Sequence, residues 1–174
     1  MSQEKIKASI RNVPDFPHKG ILFKDITTAL KNAEILKEIL DTCSAHYKNQ
    51  KIDYVVGIES RGFIFGTALA YLLNCGFIPV RKPGKLPAQT ISQEYDLEYG
   101  TDKIEIHADA LQKGDRVLIV DDLLATGGTA KAAADLVQKL EAQIVGFAFV
   151  IELKDLHGQD KLSPIADVYS VVQY

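Results

Sequence analysis

The chain has 174 residues, 47% of them hydrophobic, the size of one ordinary globular domain whose core needs neither disulfides nor a metal. Its 20 Lys plus Arg against 23 Asp plus Glu leave a formal net charge of −3, so no overall basic field exists to gather nucleic acid or an anionic membrane. A small anionic ligand therefore needs a local site.

The opening residues lack the apolar core of a secretory signal, and the apolar stretches 62–73 and 144–153 fall short of the roughly 18–20 residues of a membrane span. A cytoplasmic protein without membrane or nucleic-acid partners is expected. Residues 1–30 read as mostly irregular. Ile35, Leu36, Ile39, Leu40, Cys43 and Tyr47 recur at helical spacing and predict an amphipathic helix over about 33–48. Tyr54 to Ile58 predicts a buried strand, Phe63 to Asn74 an apolar helix, and Gly76 to Arg81 a strand ending at the breaker Lys82-Pro83-Gly84.

The segment 82–99 shows no sustained period and reads as a long loop of the kind that forms lids, followed by an alternating stretch, 103–107. Then come a strand over Arg116–Val120, a helix from Gly127 or Gly128 to Leu140, and strands over 144–153 and 166–172. Strands alternating with helices predict an α/β fold with a central, mostly parallel sheet, in a single domain without repeats or linkers. In such sheets ligands bind beyond the carboxyl ends of the strands.

Chemistry concentrates at two such ends. In Val117-Leu118-Ile119-Val120-Asp121-Asp122-Leu123-Leu124-Ala125-Thr126-Gly127-Gly128-Thr129, a buried strand runs into two carboxylates and a Gly-rich helix start. Ala125, Thr126, Gly127, Gly128 and Thr129 can cradle a phosphate with unpaired N–H groups and two hydroxyls, while Asp121 and Asp122 can hold ribose hydroxyls or a hydrated Mg²⁺. A bare Gly-Gly pair before a helix is ordinarily only a cap; the preceding strand and acids argue for a ligand. Neither a Walker A loop nor a GxGxxG fingerprint is present. In Gly57-Ile58-Glu59-Ser60-Arg61-Gly62-Phe63, Arg61 offers a planar fork of donors beside a helix start, a second anion site. Ser60 is not a hydrolase nucleophile elbow, because Ile58 stands where glycine is required and His18, His46, His107 and His157 are scattered. Cys43 and Cys75 belong to no CxxC pair or Cys/His cluster and read as reduced structural thiols.

The run from Val117 to Thr129 resembles the 5-phosphoribosyl 1-pyrophosphate motif of type I phosphoribosyltransferases. That resemblance implies a type I fold with an N-terminal hood over about 1–30 and a flexible catalytic loop or hairpin over about 82–107. It also implies a 5-phosphate on Ala125 to Thr129, ribose at Asp121 and Asp122, and pyrophosphate on the turn Glu59-Ser60-Arg61-Gly62, often through a non-proline cis bond between the first two residues. Asp15-Phe16-Pro17 with Gly20 to Thr27, Arg81 to Pro87, Leu97-Glu98-Tyr99-Gly100 and Val150 to Leu153 resemble segments of adenine phosphoribosyltransferases.

By that likeness, backbone at Leu22 and Lys24 binds the adenine edge, Phe23 and Leu153 sandwich the ring, and Lys85 is a further pyrophosphate ligand. Lys24 stands where many relatives carry Arg, which preserves charge but not the fork. Glu98 would manage a proton on the purine and Tyr99 would close over the anomeric carbon, with Arg61 neutralising the leaving group. Without the likeness, Glu98 would be one more acid beside Glu94 and Asp96. The implied reaction converts adenine and 5-phosphoribosyl 1-pyrophosphate to AMP and pyrophosphate with Mg²⁺, in a homodimer. The competing expectations are transfer to hypoxanthine, guanine, xanthine or orotate, and a ligand-sensing regulator of the same fold, which would need a basic face that the charge balance does not supply.

Overall fold

Residues 3–30 carry four short elements where an irregular segment is expected: α1 (Gln3–Ser9), β1 (Arg11–Pro14), β2 (Leu22–Asp25) and α2 (Thr27–Leu30). The computed structural model describes residues 3–97 and 100–174, and these divide into two compact units, Met1–Thr42 and Cys43–Tyr174. In the first unit β1 and β2 pair antiparallel, from Arg11 opposite Asp25 to Pro14 opposite Leu22. Hydrophobic periodicity is silent here because polar pairs join the two strands. Arg11 Nε donates to Asp25 Oδ2 at 3.0 Å and Lys24 Nζ to Asn12 Oδ1 at 2.8 Å. Hydrogen bonds from Thr27 and Arg11 pull the Asp25 carboxyl down to about 2.

The predicted amphipathic helix is α3 (Ala33–Tyr47). The Asn32 carbonyl oxygen of the side chain accepts from the N–H groups of Glu34 (3.0 Å) and Ile35 (3.2 Å), satisfying two donors of the first turn. Ile35, Ile39, Cys43 and Tyr47, four residues apart, are all buried.

The second unit is built on a parallel sheet of β3 (Tyr54–Ile58), β4 (Gly76–Val80), β7 (Arg116–Leu124), β8 (Gln143–Glu152) and β9 (Asp167–Gln173), in the order β4-β3-β7-β8-β9. The near-continuous apolar runs of the three inner strands, β3, β7 and β8, follow from burial on both faces. Helix α4 (Gly62–Leu72) connects β3 to β4, and α5 (Gly128–Lys139) connects β7 to β8. Helix α4 starts one residue before the predicted span and ends two residues before it, with Leu73 as its C-cap. Ala130, Ala132, Ala133, Ala134, Leu136 and Val137 are the buried residues of α5, and the four alanines let the helix join one core cluster with Val117, Ile119, Phe147 and Phe149 of the sheet.

Two expectations need correction. Strand β7 does not end at Val120: it continues to Leu124, because β8 offers it partners as far as Glu152, so both carboxylates stand on the strand. The segment 82–99 is not a structureless loop either. Thr90–Asp96 forms β5, paired antiparallel with β6 (Thr101–His107) from Thr90 opposite His107 to Asp96 opposite Thr101. Its side chains are largely polar, so only the ladder reveals it. Lys139 at the end of α5 donates to Ser92 O (3.1 Å) and Gln93 Oε1 (2.8 Å), tying the ribbon down. A short helix, α6 (Gln159–Leu162), precedes β9. Among the described residues no helix is long and apolar enough to cross a membrane.

Candidate active site

From β3 the chain leaves through α4 to the sheet edge at β4, then returns across β3 to β7. The strand order therefore reverses between the carboxyl ends of β3 and β7, where open α/β sheets bind ligands. A cleft of about 260 Å³ lies there, lined by Ile58, Glu59, Ser60, Arg61, Lys82, Tyr95, Ile104, Asp121, Asp122 and Thr129.

One wall is the turn after β3. The Glu59–Ser60 peptide is cis, as the resemblance implies, and Arg61 begins α4. At Gly62 a Cβ would lie 2.8 Å from Val120 O and 3.1 Å from Asp121 Oδ1, so glycine is what lets the start of α4 sit against β7. The Glu59 carboxylate accepts from Arg81 Nη2 (3.1 Å), Arg81 Nε (3.3 Å) and the Lys82 N–H (2.8 Å), and the Arg81 contact holds its pKa below the ordinary value. Its side chain therefore fixes the segment that leaves β4.

The floor is β7. Arg61 Nε pairs with Oδ2 of buried Asp122, so the turn after β3 is tied to the end of β7. Asp121 Oδ1 accepts from the Asp122 N–H at 2.8 Å. Burial first, and the neighbouring Asp122 charge second, push the Asp121 carboxyl well above its ordinary 3.8. Ionised Asp121 therefore opposes folding above that range, while below 3.8 the acid is protonated whether the chain is folded or not. Asp121→Asn is expected to raise the thermal unfolding midpoint at pH 7 and to raise it less at pH 4. A lower midpoint at pH 7 would show that the ionised carboxylate stabilises the fold.

Beyond Asp121, a second cavity of about 80 Å³ is lined by Asp121, Leu123, Leu124, Ala125, Thr126, Gly127, Gly128, Thr129 and Ala130. Gly127 caps α5 in the left-handed region at φ 78°, which turns the chain so that the helix start faces this cavity. Asp121 and Thr129 line both cavities. The two cavities are thus two parts of one surface.

Lys85 is exposed on the turn after β4, its N–H donating to Lys82 O at 3.3 Å. Leu153, just past β8, donates its N–H to Leu124 O at 2.9 Å. Leu22, Phe23 and Lys24 belong to the first unit, where the Phe23 ring meets Phe16 edge-on at 5.2 Å. Glu98 and Tyr99 lie outside the described residues; Leu97 and Gly100 on either side of them are joined by an N–H to O bond of 2.9 Å.

Sequence reasoning missed Lys82 and Tyr95 as cleft residues and Gly158 as a support of the small cavity. Lys82 reads as part of a breaker and Tyr95 as part of a loop until β5 brings them together. At Gly158 a Cβ would lie 2.2 Å from Ala125 O, and one at Gly127 2.6 Å from Gly158 O, so the two backbones are in direct contact. The only sequence signal was an isolated glycine after His157.

Known proteins resemble this chain in sequence and fold. The phosphoribosyl transferase domain family matches residues 24–173. The adenine phosphoribosyltransferase of Acaryochloris marina is 59% identical over 169 residues, covering 97% of this chain and 99% of that one. The crystal structure of adenine phosphoribosyltransferase from Thermoanaerobacter pseudethanolicus superposes with a TM-score of 0.95 at 50% identity, covering 99% of this chain and 100% of the other. That of the Saccharomyces cerevisiae enzyme, complexed with an imino-altritol bisphosphate and adenine, gives 0.91 at 42% identity over 98% of each chain. With the switch-point cleft, the phosphate loop and these likenesses together, the chain belongs to the adenine phosphoribosyltransferases, type I pentosyltransferases that make AMP from adenine and 5-phosphoribosyl 1-pyrophosphate in purine salvage.

Proposed function

We propose that this chain binds 5-phosphoribosyl 1-pyrophosphate along the surface shared by its two cavities and transfers the phosphoribosyl group to adenine. The observation that carries this reading is the pair of cavities joined through Asp121 and Thr129. Ala125 to Thr129 receive the 5-phosphate, with helix-start N–H groups and the Thr126 and Thr129 hydroxyls as donors. Asp121 and Asp122 receive the ribose hydroxyls, while Ser60, Arg61 and Lys82 face the pyrophosphate; Glu59 acts through Arg81 and the Lys82 backbone, and Lys85 adds a cation from the turn.

Breaking the glycosidic bond leaves charge on pyrophosphate and an oxocarbenium-like ribose, so fixed cations on one side and carboxylates on the other favour the separated charges. The acceptor reading gives Leu22 and Lys24 to the adenine edge and Phe23 and Leu153 to its faces. It is supported by the family likeness and, in the first unit, by Leu22 standing 49% exposed. Glu98, as proton carrier for the purine, and Tyr99 are assigned by motif.

Among the described residues no three His, Cys, Asp or Glu side chains gather as a metal cluster. The donor set nonetheless fits Mg²⁺, an ion that keeps several waters and takes one or two carboxylates plus substrate phosphates, here beside Asp121 and Asp122. Bound there it would neutralise charge on the pyrophosphate. Cytoplasmic operation is supported by the unpaired thiols of Cys43 and Cys75. Homodimer formation is supported by α4, which exposes Ile64 (45%), Tyr71 (85%) and Leu72 (44%); light scattering tests it.

The test of function offers adenine, hypoxanthine, guanine and orotate separately, with 5-phosphoribosyl 1-pyrophosphate and Mg²⁺, and measures each nucleotide by chromatography. AMP alone is expected, and none without Mg²⁺. Turnover of another base would overturn the acceptor, and no product from any base would overturn the donor site.

A further inference from the structure

Lys82 is tied at both ends. Its N–H donates to Glu59 Oε2 at 2.8 Å, and its ammonium contacts Asp102 Oδ2 and lies 3.1 Å from the Tyr95 hydroxyl. The triangle closes, since the Tyr95 hydroxyl donates to Asp102 Oδ2 at 3.1 Å. Tyr95 and Asp102 face each other across the β5–β6 ladder, which fixes their separation independently of Lys82. An ammonium has three donors, and this arrangement uses two. Lys82 and Tyr95 line the same cleft as Arg61, while Asp102 is not part of that lining.

We propose that Asp102, together with Tyr95, is a positioning residue that holds the Lys82 ammonium at the cleft wall as a preset contact for the donor's pyrophosphate. This rests on the donor reading above. Lysine is a compact charge on a flexible four-carbon stem, so a ligand that had to order it unaided would bind more weakly. The ladder orders it before the ligand arrives. Although burial alone lowers it, the hydrogen bonds to Asp102 and Tyr95 raise the Lys82 pKa, and the Lys82 contact lowers that of Asp102, so both stay ionised at neutral pH. The opposing effect is electrostatic, since the Asp102 carboxylate also competes with an incoming anion for Lys82. Preorganisation and competition predict opposite signs when Asp102 is removed.

The experiment measures calorimetric affinities for inorganic pyrophosphate with Mg²⁺ and for AMP, which has no pyrophosphate group, alongside steady-state kinetics. In Asp102→Ala, the Kd for pyrophosphate and the KM for the donor are expected to rise about tenfold, with kcat and the AMP Kd within about twofold of wild type. Asp102→Asn, which keeps an acceptor for Lys82, should recover most of that loss, and Tyr95→Phe should lose about threefold. Unchanged or tighter pyrophosphate binding in Asp102→Ala would overturn the proposal in favour of competition. A parallel loss of AMP binding would overturn it in favour of general damage to the fold. Should Asp102→Ala not fold, Tyr95→Phe carries the same comparison. Wild-type protein that bound neither ligand would overturn the donor reading itself, an outcome distinct from losses confined to the variants.

Discussion

Arg61→Ala is expected to lower kcat/KM for the sugar-phosphate donor by about 10²–10³-fold, the range typical of losing one preorganised donor to developing negative charge. Arg61 lies at the start of α4 on the cleft wall, and its guanidinium reaches Asp122 on the floor. Removing it deletes the proposed leaving-group cation and also leaves the Asp122 carboxylate, 8% exposed at its side chain, without that partner. A fully buried pair broken this way loses about 3–5 kcal/mol, but Arg61 is 44% exposed at its side chain and water can replace part of the contact, so about 1–2 kcal/mol is expected. Kinetics with each substrate varied in turn, plus urea unfolding, separate the two losses. The KM for adenine should stay within about twofold, because the proposed acceptor residues Leu22, Phe23, Lys24 and Leu153 do not include Arg61. A fall in kcat/KM below about fivefold would place leaving-group neutralisation on Lys82 or Mg²⁺ instead.

Gly158→Ala is expected to disable the proposed 5-phosphate site from about thirty residues further along the chain. Its Cβ would stand 2.2 Å from Ala125 O, 2.9 Å from Leu124 Cδ1 and 3.0 Å from Gly127 N. Two of the three are backbone atoms of the phosphate loop and cannot swing aside as a side chain would. Overpacking of this kind costs about 1–3 kcal/mol, occasionally more, and here the relief has to come from moving Ala125 to Gly127. A shift near 1 Å in a positioning element lowers turnover about 10²-fold. The expected result is a lower urea midpoint, an AMP affinity weaker by about tenfold, and a kcat/KM down by about 10²-fold. Exposed Gln159→Ala next door should change none of these. Wild-type AMP affinity in Gly158→Ala would show that the loop keeps its shape without this contact.

What could be read from the chain divides by range. Strands β3, β4 and β8 and helices α3, α4 and α5 each announce themselves through an apolar pattern, because burial on both faces or along one stripe leaves a trace within ten or fifteen consecutive residues. The segment that the proposal assigns to the 5-phosphate was equally legible as a motif, since Asp121 to Thr129 is one contiguous stretch of strand end, acids, glycines and hydroxyls. The turn Glu59 to Gly62 was legible for the same reason.

The strands that carry little buried apolar surface were not. β1, β2 and β5 are held by partner strands and by pairs such as Arg11 with Asp25, which no local period encodes. The end of β7 was set by β8, whose length carries the ladder past Asp121 and Asp122 to Leu124.

The sequence by itself determined the α/β class and marked the two turns that the proposal assigns to anions, because each depends on neighbours in the chain. Only the tertiary structure decided that Arg61 rests on Asp122 and that Lys82 is held by Tyr95 and Asp102. It alone also set Gly158 against the phosphate loop. Each of those contacts joins residues 13 to 61 positions apart, and their meeting follows from sheet order, ladder register and close backbone packing, none of which a local stretch of sequence can specify.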